Sequence, residues 1–393
     1  MDYLKKANEM AYEFTEIRRR IHKNAEVGMN LPQTVNLVVD KLKEIGCKPQ
    51  LIGESGVVTT IGTGEKVLLL RADMDALPMK EESGEEFACT TGNSHSCGHD
   101  IHATMLLAAA KMLKENEKDL KGTVKLVFQP GEEVFKGAKD IIKAGVLENP
   151  KVDAAFAIHT APGALPQGIF MYNDNGTMMC SADTFKITVR GRGAHGSYPQ
   201  NSVDPINIAA HIVIALQEII ARETVPSNLC VLTIGSIHSG SMANSIPESA
   251  ELMGSIRANS KEMREFILKR TEEIIDQTAK MFRGTASLEM ISGTPPLVCN
   301  PVMTKKFVGY IKELDFKGKA PYPGLQANAS EDFAEIADIV PSVYIMLSAG
   351  FGETGNVPTS HNPGVRFNEE TIPVGAAILA HCATRWLEEN SNL

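Results

Sequence analysis

Apolar positions in the first part of the chain switch between helical spacing and short continuous runs. Tyr3–His22 and Thr34–Ile45 carry apolar residues at helical spacing, and each predicts a helix. The runs GVVTTIG from Gly56 and KVLLLRA from Lys66 predict strands, the second buried on both faces between helix layers. The GTGEK segment between them lacks the full spacing of a phosphate-binding loop and predicts a hairpin turn.

The alternation of helices and strands continues along the chain. The next predicted helix, strand, helix and strand are Ala103–Lys114, Thr123–Gln129, Ala138–Ala144 and Val152–Ile158. After the Pro295-Pro296 pair, helical patterns and the apolar strand Ser342–Leu347 follow. Strands that alternate with helices predict an α/β layer fold with a mostly parallel sheet.

A different order occupies the middle of the chain. Its predicted elements run β-α-β-β-α-β, over Thr184–Arg190, Val203–Arg222, Leu229–Ile237, Ala250–Arg257, Lys261–Met281 and Thr285–Ile291. This order is typical of the ferredoxin-like unit, a self-sufficient two-layer module. We therefore expect an inserted domain at 182–293 within a discontinuous catalytic domain formed by 1–181 and 294–393.

Composition and charge exclude some partners. A chain of 393 residues is long enough for two domains with a sizeable core. The net charge is −9, and dispersed Lys and Arg form no basic patch interleaved with aromatic residues, which argues against a nucleic-acid partner.

Apolar runs and cysteine usage indicate a compartment. The first residues, MDYLKKANEMAYEF, do not have the pattern of a signal peptide. Polar and charged residues interrupt the longest apolar runs, Ile206–Ala221 and Ile372–Leu387, which argues against a membrane span. Seven scattered cysteines, an odd number, favour reduced thiols, and we expect a cytoplasmic protein.

The segment NSHSCGHDIHATM, Asn93–Met105, concentrates metal-capable side chains, with Cys97, His99 and His102 within six positions. Burying them without partners would cost about 1–3 kcal/mol for each unsatisfied group. A metal ion would take their lone pairs, and we expect these ligands on a loop that leads into the following helix. The alternative is a reduced cysteine among surface histidines.

Carboxylates follow two of the predicted strands, where open α/β sheets gather their ligands. Asp73 and Asp75 lie in RADMDALP, and the second of these motifs, QPGEE, contains Glu132 and Glu133. With a metal, one glutamate of the pair would bind the ion and the other would take a proton from bound water. A helix cap with a turn, and a solvated acidic turn, are the respective alternatives.

Two further histidines stand outside any apolar period. His159 follows a predicted strand and His361 follows a glycine-rich stretch, and either alone could be a surface residue. Together with Cys97, His99 and Glu133 they are too many donors for one closed tetrahedral ion. Five donors suit two divalent ions about 3.5–4 Å apart. Thiolate and imidazole favour zinc, and a mixed site also admits manganese or cobalt.

The ordered motifs of this chain resemble those of the M20-type metallopeptidases, in their amidohydrolase branch. The motifs run nearly end to end as RRRIHKNAEVG, RADMDALP, SCGHDIHATM, FQPGEE, His159, GRGAHGSYP, NSIPESAELMGSIR, ASEDFAE and SHNPGVRF. The resemblance implies metal ligation by the same five residues, Cys97, His99, Glu133, His159 and His361. It also implies that Glu132 is the general base and that Asp75 orients a ligand.

The resemblance further implies that the inserted domain is a lid and a homodimerisation domain. His195 resembles a family histidine that reaches a partner's active site and steadies the oxyanion, and Asn244 and Arg257 match positions that hold the substrate carboxylate. Judged from the residues alone, a glycine-flanked histidine near a strand end is more often a turn residue.

The function implied is hydrolysis of the amide bond of N-acyl amino acids, which are small-molecule substrates. Glu132 would activate a water held between two divalent ions and then pass the proton to the leaving amine. A dipeptidase of the same family is the first alternative. A non-catalytic metal-binding protein is the second, and Glu132 beside Glu133 argues against it, because a metal store needs no spare base.

Overall fold

The computed structural model describes residues 1–391, and its helices and strands are numbered here in chain order. The helices are α1 Tyr3–Glu9, α2 Ala11–Lys23, α3 Pro32–Glu44, α4 His99–Glu115, α5 Gly137–Lys143, α6 Pro205–Glu218, α7 Lys261–Met281, α8 Pro301–Glu313, α9 Phe333–Ala337 and α10 Thr371–Asn390. The strands are β1 Gln50–Ile52, β2 Gly56–Ile61, β3 Val67–Asp73, β4 Thr123–Gln129, β5 Ala154–Pro166, β6 Ile169–Tyr172, β7 Thr177–Met179, β8 Ala182–Arg190, β9 Ala194–His195, β10 Cys230–Ser239, β11 Ser245–Ile246, β12 Ser249–Ala258, β13 Thr285–Thr294, β14 Leu297–Val298, β15 Ala320–Pro323 and β16 Ser342–Gly350.

The chain forms two compact units. The first consists of Met1–Met178, Val298–Gln326 and the segment from Asp332 onward. It contains an eight-stranded sheet with the strand order β1-β2-β4-β3-β5-β16-β6-β15. Its central strands β4, β3, β5 and β16 pair in parallel, as the alternation of strands and helices predicts.

Helices cover both faces of the central strands. On one face α4 and α10 pack against each other and against β3 and β5, with α1 and α2 outside them, and on the other face α5 and α9 pack against β4, β5 and β16. Every residue of β3 and β4 is buried, which explains why the sequence of β3 is apolar on both faces. Because the central strands pair in parallel, their carboxyl ends lie at one edge of the sheet.

The predicted hairpin at GTGEK is wrong. β2 and β3 are not neighbours, because β4 lies between them and pairs antiparallel with β2 and parallel with β3. The segment is therefore a connection that passes over β4. A local turn pattern does not reveal that a later strand takes the intervening place in the sheet.

The second unit consists of Met179–Leu297 and Ala327–Glu331. Its antiparallel sheet has the strand order β10-β12-β8-β13, and α6 and α7 pack on one face of it. Every second side chain of β12 is buried and belongs to one apolar core with residues of both helices. This alternation explains why the helices pack on one face of the sheet. Along the chain, the four strands of this sheet and the two helices follow the order β-α-β-β-α-β.

One helical segment of residues 1–391, Pro205–Glu223, has the length and hydropathy of a membrane span, and 33% of its apolar stretch is buried. The core helix of a soluble protein passes the same test, so the segment by itself assigns no membrane. Its outward face carries Ile206 and Ile214, with exposed fractions of 45% and 68%.

Candidate metal centre

The carboxyl ends of three parallel strands place the candidate residues at one edge of the first sheet. Asp73 at the end of β3 pairs with Gln129 at the end of β4. On the other side of β3, Arg71 pairs with Ala157 of β5, two residues before His159. The loops that carry Asp75 and Glu132, and the ligand candidate of β5, therefore begin side by side.

His99 begins α4, so the expectation that it lies on a loop is wrong, whereas Cys97 does precede the helix. Gly98 forms the cap with φ +88°, in the left-handed region that glycine occupies without strain. A Cβ atom at this position would lie 2.4 Å from Oγ1 of Thr160, so a larger residue would also clash. The glycine lets Cys97 and His99 flank the turn and face the same cluster.

His159 is also placed differently from the expectation. β5 continues to Pro166, so His159 lies inside this strand and does not follow its end. Its ring nevertheless reaches the cluster, with Nε2 at 3.5 Å from Sγ of Cys97.

The structure brings the five predicted metal ligands together. Nε2 of His361 lies 3.3 Å from Oε1 of Glu133, and Nε2 of His99 lies 3.9 Å from the same oxygen. Two groups of donor atoms, each within 4.8 Å of one another, share the Cys97 thiol, and they are Cys97, His99, His159 and Cys97, Glu133, His361. Two donor sets with a common member fit two neighbouring ions.

Hydrogen bonds determine which ring nitrogens face this cluster. Nδ1 of His99 lies 2.8 Å from the carbonyl oxygen of Asp75, and Nδ1 of His159 lies 2.7 Å from that of Thr160. Carbonyl oxygens only accept, so both Nδ1 atoms carry a proton, and Nε2 is the nitrogen of each ring that is left to bind a cation. Within residues 1–391, Nε2 of His99 is buried without a hydrogen-bond partner. A metal cation would be the missing partner of this nitrogen, since a histidine that binds a metal usually donates its other ring N–H to an oxygen, as His99 does.

The electrostatics of the cluster also favour a cation. Burial raises the pKa of the Cys97 thiol to about 12, despite the nearby His99. Burial opposes charging of His99, but Asp73 and Cys97 outweigh it and hold the pKa of His99 well above its usual value. The site thus attracts positive charge, and a divalent ion would convert the thiol into a thiolate ligand.

Asp75 organises the turn that carries the two glutamates. Its Oδ1 accepts from the backbone N–H of Glu132 at 3.0 Å and its Oδ2 from that of Glu133 at 3.2 Å. Burial raises the pKa of Asp75, against the opposing effect of His99. The carboxylate of Glu132 is buried and lies 3.9 Å from Nε2 of His99, so it faces the cluster beside Glu133.

His361 lies on a loop and reaches the cluster with its ring. Its φ of +64° is unusual for a residue with a side chain and costs about 1–3 kcal/mol. Its backbone N–H donates to the carbonyl oxygen of Ser96, which ties this loop to the segment that carries Cys97. The ion pair with His361 also lowers the pKa of Glu133, although burial opposes that shift.

The remaining predicted residues belong to the second unit. His195 on β9 pairs with Ser245 of β11, next to exposed Asn244, whose carbonyl oxygen accepts from Gly196. Arg257 lies near the far end of β12, about eight residues beyond Ser249. At ~3.3 Å per residue, roughly 26 Å of strand separates Arg257 from Ser249, the end of β12 that follows β11. The structure groups His195 with Asn244 and leaves Arg257 towards the other end of β12.

His102 is one of the metal-capable side chains of its motif but is not among the five predicted ligands. It is buried on the first turn of α4, and its ring centroid is 5.3 Å from that of His99. A helix that begins at His99 would have revealed it, because residues three apart share a helix face.

The chain is similar in sequence to known proteins over nearly its whole length. The family model of peptidase family M20/M25/M40 matches residues 69–385. An "IAA-amino acid hydrolase ILR1-like 2" from Arabidopsis thaliana is 36% identical over 398 residues, covering 98% of this chain and 88% of the relative. A hippurate hydrolase from Campylobacter jejuni is 34% identical over 396 residues, covering 99% of this chain and 100% of the relative.

A solved structure resembles the whole chain. It is a dinuclear metal-binding peptidase of the M20 family from Bacillus subtilis, with a TM-score of 0.81 and 26% identity. The match covers 97% of this chain and 99% of that protein.

Proposed function

This chain belongs to peptidase family M20/M25/M40, and we propose that the Cys97 cluster is the centre with which it hydrolyses N-acyl amino acids. The observation that carries this proposal is the convergence of five donors beside a sixth, catalytic group, the carboxylate of Glu132. A metal store would need the donors alone.

Two divalent ions would be held by Cys97, His99, Glu133, His159 and His361, with the Cys97 thiolate common to both groups. When bound, such ions acidify a water molecule and polarise the carbonyl oxygen of the substrate. Zinc is the ion that a thiolate and three imidazoles favour, and manganese or cobalt can also occupy a site that includes a carboxylate.

Glu132 acts as the general base and then as the acid. Its carboxylate faces His99 and Glu133, so it can take a proton from the attacking water and deliver it to the leaving nitrogen. Asp75 holds the backbone of Glu132 and Glu133, which keeps both carboxylates in place during the reaction.

The substrate is an amide between an acyl group and an amino acid, the type of bond that names the hippurate and IAA-amino acid hydrolases. Arg257 and Asn244 would engage the carboxylate of the amino acid, and His195 would donate to the oxyanion. Roughly 26 Å of β12 lies between Arg257 and Ser249, whereas His195 and Asn244 lie at β9 and β11, which precede Ser249. This arrangement argues against one inserted unit presenting both Arg257 and His195 to a single small substrate. We propose that a second copy supplies His195 and Asn244.

The second unit offers a surface for that copy. β10 lies at one edge of its sheet and exposes Val231 and Ile237, with exposed fractions of 46% and 49%. Ile206 and Ile214 of α6 are exposed as well. Pairing of a strand edge together with burial of an apolar helix face is a common basis for a symmetric dimer. The unit would then serve as both lid and dimerisation domain in a cytoplasmic enzyme.

A dipeptidase activity is the main alternative within the family. It would use the same centre and differ in the group that occupies the acyl side of the amide. Both readings predict a metal-dependent hydrolase, so the substrate decides between them.

The first test is a hydrolysis screen by mass spectrometry. Metal-stripped protein with Zn²⁺ or Mn²⁺ restored would be offered N-acetyl, N-benzoyl and longer-chain N-acyl amino acids, with dipeptides beside them. We expect release of free amino acid from N-acyl substrates only when the metal is present. Cleavage of dipeptides alone would favour the alternative, and no cleavage by protein with two bound ions would contradict the proposal.

A further inference from the structure

Two buried side chains next to the metal ligands, Asp73 and His102, have no part in the chemistry described so far. Asp73 is 0% exposed and His102 is 1% exposed. The ring of His102 lies 4.5 Å from that of His159, measured between centroids. Buried polar groups require hydrogen-bond partners, so the partners of His102 show what it does.

The proton on His102 can be located from its contacts. The backbone N–H of Thr160 points at Nε2 of His102 over 2.7 Å. A backbone N–H only donates, so Nε2 must accept and carries no proton. The hydroxyl of Thr160, 2.8 Å from the same nitrogen, can donate to it as well. The ring proton of His102 therefore lies on Nδ1, which is 2.5 Å from Oδ1 of Asp73.

Asp73 is held as an acceptor by a buried arginine. Nη1 of Arg71 donates to Oδ2 of Asp73 over 2.6 Å, and Arg71 in turn donates to Asp332 and Gln129 over 2.9 and 3.0 Å. Because the ring proton of His102 lies on Nδ1, Oδ1 of Asp73 accepts it and fixes the orientation of the His102 ring.

Thr160 links His102 to a proposed metal ligand. Its N–H is bound by His102, and its carbonyl oxygen accepts the Nδ1 proton of His159 over 2.7 Å. Anything that shifts Thr160 therefore shifts the hydrogen bond that directs Nε2 of His159 towards Cys97.

We propose that His102 is a positioning residue, which, oriented by Asp73, holds Thr160 so that His159 presents Nε2 to the metal centre. This inference rests on the proposed metal centre and adds to it a chain of contacts from Arg71 through Asp73, His102 and Thr160. An imidazole suits the place because it can accept from a main-chain N–H while it donates to a carboxylate.

Two substitutions separate the halves of this role. In His102→Gln the amide oxygen can reach the position of Nε2 and accept from Thr160, whereas the contact with Asp73 is lost. In His102→Asn the amide nitrogen can still donate to Asp73, whereas the acceptor for Thr160 is lost. If His102 acts through Thr160, we expect the Asn variant to bind one ion about 10–100-fold more weakly. The Gln variant should lose clearly less affinity for that ion.

Binding would be measured without substrate, by titrating metal-stripped protein with Co²⁺. The sulfur-to-cobalt charge-transfer absorption reports the ion at Cys97, the neighbour of His159. Equal losses in both variants, or an unchanged affinity of the Asn variant, would overturn the inference. The unsubstituted protein could bind Co²⁺ normally and the two variants could differ as expected, while no substrate is hydrolysed. That result would contradict only the proposed function.

A measurement on the unsubstituted protein covers the case in which a variant fails to fold. In ¹⁵N-histidine-labelled, metal-stripped protein, long-range ¹H–¹⁵N spectra show which ring nitrogen carries the proton. We expect His102 to be protonated at Nδ1 alone, with its ring signals assigned through correlations to its own backbone, which need no variant. Protonation at Nε2 would overturn the inference.

Discussion

Asp100, the residue after His99, belongs to a buried network of ion pairs. Asp100 is fully buried, and Nε of Arg18 donates to its Oδ2 over 2.6 Å. His22 lies between two carboxylates, with Nδ1 at 2.8 Å from Asp100 and Nε2 at 2.9 Å from Glu81. Because both carboxylates accept, both ring nitrogens carry protons and His22 is an imidazolium. The network fastens α2 to the start of α4.

Replacement of His22 should change how stability depends on pH. Burial and Arg18 oppose the charge of His22, but the pKa is raised because Asp100 and Glu81 outweigh them. The stabilisation is therefore complete below the unfolded-state value of ~6.5 and is lost as pH rises through the folded-state pKa. In metal-free protein, denaturant unfolding should show the largest loss for His22→Gln near pH 6 and a shrinking loss towards pH 9. A loss that stays constant across this range would contradict the assignment.

The five proposed metal ligands could be named from residue type and motif position alone, because a thiol, imidazoles and a carboxylate outside the apolar pattern are the donor types of metal sites. The role of His102 could not. It depends on the direction of one backbone N–H, that of Thr160, and on the distance of Asp73 from the ring. Neither quantity leaves a mark in the sequence.

At the scale of elements, the predicted bounds were wrong where a helix or strand extends beyond its apolar residues. The polar start of α4 hides His99 and His102 from an apolar period, although both are helical. β5 likewise extends past its apolar run to Pro166. By contrast, β4 and α7 have the predicted bounds, because their patterns are regular to both ends.

The outward face of α6 is the element on which the proposed dimer depends. Ile214 is 68% exposed there, and burial of such a side chain stabilises an interface by about 1.5–3 kcal/mol. Ile214→Glu should therefore raise the dimer dissociation constant at least about tenfold. Light scattering at micromolar concentration would measure this.

A matched control is Ile339→Glu, which changes a residue of the first unit that is 57% exposed. This variant should remain a dimer. A fully active monomer of the unsubstituted protein would refute the dimer and the supply of His195 by a second copy.

At the scale of the whole molecule, the alternation of helices and strands along the sequence predicted the mostly parallel sheet of the first unit. It could not predict the place of β4 between β2 and β3, since strand order depends on contacts distant in sequence. It also could not predict that 327–331 join the second unit, far from its other residues along the chain.

The most direct test of the two-metal amidohydrolase is Glu132→Gln, which removes the base and leaves the five donors unchanged. We expect native mass spectrometry to show two bound ions, and turnover of the best N-acyl amino acid to fall by about 10²–10⁴-fold. Exposed Glu54→Gln, the control, should behave as the unsubstituted enzyme does. Near-normal turnover by the Glu132 variant with both ions bound would contradict the account.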